Sequence, residues 1–600
     1  MTPELLRVEG MGEGLDSFAR LGSARLPREL AAVSAVGITD GAKAHLATRI
    51  PGKRIYVAPD PLAARAMLSK ISSFPDVRAV FLPHRDDVLV CRKGYAARSS
   101  RERAAALCRL ACGDADIAVV CADALMQRFP RAEVVRAFTL TLEKSGTLTP
   151  QEAADRLAAA GYSRRDMISE EGEFALRGDI LDIYSSDGTA VRVNFFDDLI
   201  ENIKTIDLSS MLSVDEVERV TVPPASDVLF TAEDAARVSS ALAARGGNAV
   251  ASSLCDRVRE GALPAEFAWA AVFSEDNSAF LFDCFGAPAE GEAPPTVIFD
   301  EPKIISEKLT VLEKEFRGRL APLAEAGEIL PEHSAALFSS NEVRRRIMLA
   351  RKAAFSALSL GNPLFEPTKI IKPKCRPVTK YYLAPDSIGQ DLRNFILNGF
   401  RTLICTGSAE RAKGVRDSLF EQEVYAEISA DGNGGASVLV TPLRIETGFV
   451  YPAEKVAVIG VSECVGKRRG EDVSAPKTQF IAPKAGDYVV HRVHGVGLCE
   501  GTTIMKVGEF EKEYVVLRYR DGDVLYVATD QTDNLQKFVG EEHPRLNKIG
   551  GKEFAREKEK VRKSVRKLAV NLLKLYAERE KRKAVSYTHL RAHETSQDLV

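Results

Sequence analysis

The sequence of 600 residues lacks the features that would place a protein in a membrane or in an oxidising compartment. It contains no run of about 18 apolar residues, so we expect no membrane-spanning segment. The stretch MTPELLRVEGMGEG at the start lacks the basic and then apolar pattern of a signal peptide. The ten cysteines include no CxxC pair, and we expect reduced, mostly buried thiols. These absences together predict a cytoplasmic protein.

The sequence also lacks an excess of charge of one sign. Lys and Arg number 82 against 84 Asp and Glu, which gives a formal net charge of -2 and does not suggest a general binder of polyanions. His491 and His494 have no cysteine or third histidine nearby, so we expect no metal site. What remains is the composition of a globular protein whose length is too great for a single core.

An incomplete phosphate-binding loop, VGITDGAKAH, begins at Val36. A working loop reads GxxxxGK[ST], in which the second glycine lets the backbone cradle phosphate and the hydroxyl binds Mg²⁺. When the sequence is aligned on Lys43, Gly37 is present, but Ala42 and Ala44 replace the second glycine and the hydroxyl residue. We expect no apolar strand ending in an Asp-Glu pair to supply a second metal ligand. The loop is interpreted as a structural relic that binds no cofactor; weak anion binding and a chance resemblance are the alternatives.

The secondary-structure pattern changes several times along the chain. Residues 25–130 alternate helical and strand patterns, as in an α/β layer. The stretch RGDILDIYSSDGTAVRVNFFDDLIENIKTID predicts antiparallel strands around a Ser-Asp-Gly turn. A proline-rich linker and a second α/β unit follow, and residues 484–545 carry the short strands of a small barrel. A long amphipathic helix with a basic surface comes last, either docked on a neighbour or close to nucleic acid.

These stretches together resemble the bacterial transcription-repair coupling factors (Mfd). The antiparallel stretch resembles the part of the excision-repair protein UvrB that contacts UvrA, a module that these factors share along with a degenerate phosphate loop. AGDYVVHRVHGVGLCEGTTIMK and the strands after it look like the RNA-polymerase-interacting domain of the family. PRLNKIGGKEFAREKEKVRKSVRK looks like its linker helix. The resemblance runs from about residue 20 to residue 583 and is most specific at 171–207 and 484–583.

The resemblance implies a multidomain α/β and α+β protein. Its expected parts are a UvrB-like domain 1a with the degenerate loop (1–134), a UvrA-binding module (135–222), a UvrB-like domain 1b (223–360), a linker (361–378), a small α/β domain (379–475), an SH3/Tudor-like or CarD-like β-barrel (484–545), a linker helix (546–583) and a tail (584–600). The tail, AVSYTHLRAHETSQDLV, does not resemble the family and looks like translated sequencing-adapter sequence. We expect it to be disordered and to pack on nothing; the alternative is a natural short tail.

The resemblance also implies two docking surfaces. Arg177, Arg192 and Phe196 match the family's UvrA-binding positions, and Thr503, Ile504 and Met505 match the strand that contacts the β subunit of RNA polymerase. Arginine and aromatic side chains are the residue types that dominate interface hot spots, which makes the first set physically reasonable. The alternatives are that Phe196 packs against its own sheet, that the arginines are simply solvated, and that GTTIMK is an ordinary internal strand.

The resemblance finally implies a role in transcription-coupled nucleotide excision repair. The family continues into a motor that uses ATP and Mg²⁺ to move on double-stranded DNA, and we find no motor motifs here. We therefore expect no catalytic residues, no ATPase activity, and a UvrA-facing surface that no C-terminal region masks. Two other functions stay open: a UvrB-type ATPase that verifies damage, and a CarD-like transcription regulator that binds RNA polymerase.

Overall fold

The computed structural model divides the chain into two compact units, Met1–Val473 and Ser474–Val600. The residues that it describes are 4–7, 18, 21, 31–85, 88–89, 95–208, 211–243, 251–252, 256, 265–358, 361–381, 387–464, 486–491, 495–507, 510–528, 535–537 and 546. The predicted linker helix, apart from residue 546, and the predicted tail lie outside these residues.

The first unit contains strands of both parallel and antiparallel sheets. In chain order its strands are β1 (Ala32–Val36), β2 (Arg54–Ala58), β3 (Ala79–Phe81), β4 (Ile117–Cys121), β5 (Leu140–Glu143), β6 (Ser163–Arg164), β7 (Glu173–Arg177), β8 (Ile180–Tyr184), β9 (Ala190–Phe196), β10 (Leu199–Asp207), β11 (Leu212–Val217), β12 (Arg219–Val222), β13 (Thr296–Asp300), β14 (Arg351–Ser356), β15 (Lys369–Ile371), β16 (Arg401–Cys405), β17 (Glu427–Ile428), β18 (Val438–Thr441), β19 (Phe449–Tyr451) and β20 (Val456–Ile459).

Several helices of this unit begin after an N-cap residue whose side chain accepts a backbone hydrogen bond, as at Asp60, Thr149, Ser339 and Ser408. The helices are α1 (Asp40–Arg49), α2 (Pro61–Ser72), α3 (Tyr95–Ala111), α4 (Ala132–Phe138), α5 (Pro150–Ala159), α6 (Ala232–Ala243), α7 (Pro302–Glu325), α8 (Ser340–Leu349), α9 (Ser387–Leu397), α10 (Ala409–Glu421) and α11 (Val461–Cys464). Thr149 and Glu152 form a reciprocal capping box at the start of α5, which satisfies backbone N–H groups that the helix leaves free. None of the helices among the described residues is long and apolar enough to cross a membrane.

A seven-stranded sheet, in the order β15-β1-β14-β13-β2-β4-β3, forms the centre of the first unit. All of its neighbouring strands are parallel. Its main strands are continuous buried runs, which is typical of parallel strands whose two faces are both covered. The α/β layer predicted for residues 25–130 is confirmed but incomplete, because β13 (Thr296–Asp300) and β14 (Arg351–Ser356) lie between β1 and β2 although they come much later in the chain.

A six-stranded sheet, in the order β11-β10-β9-β8-β7-β6, carries the predicted antiparallel module. The pairs from β7 to β11 are antiparallel, which confirms that prediction, and only the short β6 pairs in parallel. The predicted Ser-Asp-Gly turn joins β8 to β9, with Gly188 at a φ of 89° that favours glycine. Alternate residues form a buried core on one face, as the period of two predicts.

A buried ion cluster ties this module to the parallel sheet. Asp227, which follows the module, accepts hydrogen bonds from Arg103 Nε at 2.5 Å and Ser100 Oγ at 2.5 Å, and it also pairs with Arg85. Burial alone would raise the pKa of Asp227, but the two guanidinium groups outweigh burial and lower the pKa. Charge therefore holds the segment that leaves the module against α3 and against the residues that follow β3.

A second α/β sheet, in the order β17-β18-β16-β20-β19, belongs to the same unit. Only β19 is antiparallel to its neighbour. One face packs with α9 and α10. Residues of the other face join residues of the first sheet and of α1 in one apolar cluster, so α1 is buried between two sheets.

The second unit contains an antiparallel sheet. Its strands are β21 (Tyr488–His491), β22 (Gly495–Val507), β23 (Phe510–Arg518), β24 (Val524–Ala528) and β25 (Leu535–Lys537), in the order β24-β23-β22-β21-β25. The predicted hairpin at Asp521-Gly522 is present, and a short 3₁₀ turn makes it longer than the two residues predicted. The mixed fold with several sheets is confirmed; barrel closure and the domain boundaries stay predictions.

Candidate functional site

The degenerate phosphate loop connects β1 to α1. Gly37 follows β1 with a φ of 78°, and its N–H donates to Ser356 O at 2.8 Å. Ala42 and Ala44 both lie inside α1, where their methyl groups are buried in the core. Neither side chain can bind a metal ion, and both now contribute to packing.

The ammonium group of Lys43 is held by two carboxylates. Its Nζ donates to Asp300 Oδ1 at 2.7 Å and to Glu301 Oε1 at 2.8 Å, and the lysine side chain is only 6% exposed. Burial lowers the pKa of Lys43, but the two carboxylates more than offset burial, so the pKa is raised. The expectation that no apolar strand ends in an Asp-Glu pair is wrong, because β13, TVIFD, ends at Asp300 and Glu301 follows it.

Further hydrogen bonds hold the two carboxylates. Tyr56 Oη donates to Asp300 Oδ2 at 2.8 Å, and Ala357 N donates to Glu301 Oε1 at 2.8 Å. Glu301 has a φ of 56°, which is strained for a residue other than glycine and persists because its neighbours fix it. A phosphate group would have to displace these carboxylates in order to reach Lys43.

The start of α1 is covered by the second α/β sheet. Gly41 lies so close to Gly448 that an added Cβ would be 2.3 Å from the Gly448 carbonyl oxygen. One turn further on, the His45 ring stacks on Phe449 with 4.6 Å between ring centroids, and its Nδ1 lies 3.1 Å from Tyr451 Oη. Burial lowers the pKa of His45 to about 3, so the ring is neutral. Atoms of Gly448, Phe449 and Tyr451 therefore pack against the first turns of α1.

The antiparallel module brings Arg177 and Arg192 together on one buried carboxylate. Arg192 Nε and Nη2 donate to the two oxygens of Asp182 at 2.7 and 2.9 Å, and Arg177 Nη2 donates to Asp182 Oδ2 at 2.6 Å. The Asp182 side chain is 1% exposed, whereas that of Arg177 is 52% exposed. The hydrogen bonds that Arg192 donates to Asp182 raise the pKa of Arg192. Hydrogen bonds to Asp182 therefore order both arginines, so solvation alone does not describe them.

Phe196 lies on the same face of the sheet and is 75% exposed. It is paired with Leu199 across the β9–β10 turn, and Ile180 is paired with Asn194, two residues before Phe196. Leu199 and Ile180 are themselves about 40% exposed, at 41% and 40%. Three apolar side chains thus lie at one end of a face that also carries two cations, and Phe196 does not pack into the core of its own sheet.

Asp182, Ile180 and Leu199 were missed at the level of sequence. Part of the pattern can be seen in the sequence, because the period of two in a strand places Asn194 and Phe196 on the same face as Arg192. Pairing with the neighbouring strand then adds Asp182 and Ile180 to that face. The family resemblance points only to the positions that match its motif. Cross-strand register is needed to find their neighbours.

Thr503, Ile504 and Met505 lie in β22, where they pair with Tyr514, Glu513 and Lys512 of β23. The other neighbour, β21, pairs only with residues 495–498 of β22. Among the pairings of the described residues, the second edge of the 503–505 stretch is not covered. An uncovered edge can pair with a strand of another protein.

Two family models match separate parts of the chain. The UvrB interaction domain matches residues 140–228, which contain the arginine pair and Phe196. The CarD-like/TRCF RID domain matches residues 484–539, which contain β21 to β25. The class that the sheets and these matches define is a protein that joins a UvrB interaction domain to a CarD-like domain.

The chain is also similar to curated proteins over most of its length. It is 26% identical over 554 residues to the transcription-repair-coupling factor of Bacillus subtilis (88% of this chain, 46% of the relative). It is 26% identical over 505 residues to that of Staphylococcus epidermidis (80% and 42%) and 25% identical over 521 residues to that of Staphylococcus aureus (83% and 44%). The chain is thus similar to transcription-repair-coupling factors over most of its own length, and it spans less than half the length of these relatives.

Proposed function

We propose that this chain is a docking platform in transcription-coupled nucleotide excision repair, which binds RNA polymerase with one sheet and UvrA with another. The observation that carries the proposal is the 75% exposed Phe196, which lies on the same face as two arginines ordered by Asp182. A large exposed aromatic beside guanidinium groups has the composition of an interface hot spot. The match of residues 140–228 to the UvrB interaction domain supports UvrA as the partner.

The contact with polymerase is proposed at Thr503, Ile504 and Met505. A strand of the polymerase β subunit would pair with the edge of β22 at 503–505 that no described strand covers, so that backbone hydrogen bonds supply affinity and alternate side chains supply specificity. The match of residues 484–539 to the CarD-like/TRCF RID domain supports this assignment. The two sites lie in different sheets, and we expect them to act separately.

Met505→Ala is expected to weaken binding of RNA polymerase by about 1–2 kcal/mol, because it removes one side chain of a pairing that rests mainly on the backbone. Binding of UvrA should be unchanged. Biolayer interferometry with the immobilised chain measures both affinities. Equal affinity of the variant and the parent chain for polymerase would argue against this strand as the contact.

The two rival functions each fail to account for one part of the chain. A UvrB-type ATPase needs a lysine that can reach phosphate, whereas Lys43 is bound to Asp300 and Glu301 and α1 is covered. A CarD-like regulator needs only the sheet at 484–539 and gives no role to residues 140–228. We assign translocation to the motor of the full-length family. The ATP, Mg²⁺ and double-stranded DNA that translocation needs would bind there and not at the described residues of this chain.

The proposal is tested by measuring the binding of the purified chain to purified UvrA and to core RNA polymerase in separate titrations. Both are expected to bind, and an excess of one should not displace the other. Absence of binding to UvrA would remove the repair function, and absence of binding to polymerase would remove its coupling to transcription.

A further inference from the structure

Asp182 is the central residue of the arginine cluster. It lies in β8, directly opposite Arg192 of β9 and one diagonal step from Arg177 of β7. Its two oxygens accept three N–H groups, two from Arg192 and one from Arg177. The cluster therefore presents a net charge of one cation rather than two, with its carboxylate beneath the surface.

A buried carboxylate on an exposed sheet face needs a physical reason. Removing a carboxylate from water costs several kcal/mol, which its partners must offset. An arginine side chain in solution samples many rotamers, and this entropy is lost when a partner fixes it. Here Asp182 fixes Arg192 through two parallel hydrogen bonds and Arg177 through one, before any partner arrives. Fixing a binding group beforehand increases affinity because less entropy is lost on docking.

We propose that Asp182 is a positioning residue of the docking face, which holds the guanidinium groups of Arg177 and Arg192 in one orientation beside the apolar group of Ile180, Phe196 and Leu199. This face would select a partner surface that carries a carboxylate next to an apolar pocket. The proposal rests on the proposed function, in which UvrA supplies that surface. Asp182 itself, being 1% exposed, touches the arginines and not the partner.

The test compares Asp182→Asn with Asp179→Asn. Both variants remove one negative charge from the same edge of the module, but Asp179 is an exposed residue of the β7–β8 turn. Positioning predicts that D182N weakens UvrA binding by about tenfold, mainly through faster dissociation, since two long side chains must then be ordered at the interface. D179N should bind at least as well as the parent chain. If Asp182 serves only to neutralise charge, D182N will instead bind an acidic partner more tightly, which would overturn the proposal.

Asp182→Glu keeps the charge and moves the carboxylate by one methylene. Positioning predicts weaker binding of UvrA by this variant as well, because the two oxygens no longer match the arginine fork. Binding equal to that of the parent chain would overturn the proposal. If D182N does not fold, binding of UvrA by D182E still tests the proposal.

A measurement without UvrA separates this inference from the proposed function. Phenylglyoxal modifies guanidinium groups, and mass spectrometry gives the rate at each arginine. Arg177 and Arg192 should react several times faster in D182N than in the parent chain or in D179N, and equal rates would overturn the positioning role. If the parent chain does not bind UvrA, the proposed function fails, and these rates alone decide whether Asp182 holds the arginines.

Discussion

Phe196→Ala is expected to weaken the binding of UvrA by about 30-fold, or about 2 kcal/mol. The ring is the most exposed of the three apolar side chains beside the arginine pair, so truncation removes the largest area that a partner could bury. The loss should appear mainly in the dissociation rate, as is usual for contacts at the centre of an interface. Surface plasmon resonance with the immobilised chain measures it.

Phe420→Ala is the matched control. Phe420 is 76% exposed, almost the same as Phe196. It lies near the end of α10, a helix that packs on the second α/β sheet. This variant loses the same atoms from a surface that has no proposed role in binding UvrA. Equal effects of the two substitutions, or no effect of either, would contradict the assignment of the docking face.

Lys43→Met is expected to lower the free energy of unfolding of the first unit by about 3–5 kcal/mol, since it leaves Asp300 and Glu301 without their cation in a buried site. Urea unfolding followed by tryptophan fluorescence measures this effect, because the single tryptophan, Trp269, is buried in that unit. The same preparations should show no ATP turnover before or after the change.

Lys70→Met is the control for this substitution. Lys70 pairs with Asp40 at 2.6 Å on the surface of the same α1–α2 region, and exposed pairs contribute about 0–1 kcal/mol. A small loss in both variants would mean that Lys43 is not a structural ion-pair partner. ATP turnover that disappears with Lys43 would mean that the loop is active.

The antiparallel module could be predicted from sequence because its information is local. A period of two in RGDILDIY and AVRVNFF assigns one face to the core, and a glycine turn joins the two strands. Arg177, Arg192 and Phe196 were found through the family resemblance, and the exposure of Phe196 agrees with a role in docking. Asp182 was missed because its importance depends on which arginines lie across from it.

The contacts that cover Lys43 and the start of α1 could not be predicted, because the residues that make them are distant in sequence. Asp300 and Glu301 are more than 250 residues from Lys43, and Gly448 is about 400 residues from Gly41. The order of the parallel sheet brings the first pair to Lys43, and the packing of the second sheet brings Gly448 to α1. Ala42 and Ala44 predict a loop that binds no nucleotide, but these two positions could not show that Asp300, Glu301 and Gly448 lie against the loop and α1.

The most direct test of the docking platform asks whether the chain joins its two partners. RNA polymerase is immobilised, the chain is added and washed, and UvrA is then supplied. We predict that UvrA is retained only when the chain is present, and that Phe196→Ala strongly reduces its retention while the chain itself stays on polymerase. Retention of UvrA without the chain, or displacement of the chain from polymerase by UvrA, would contradict the account.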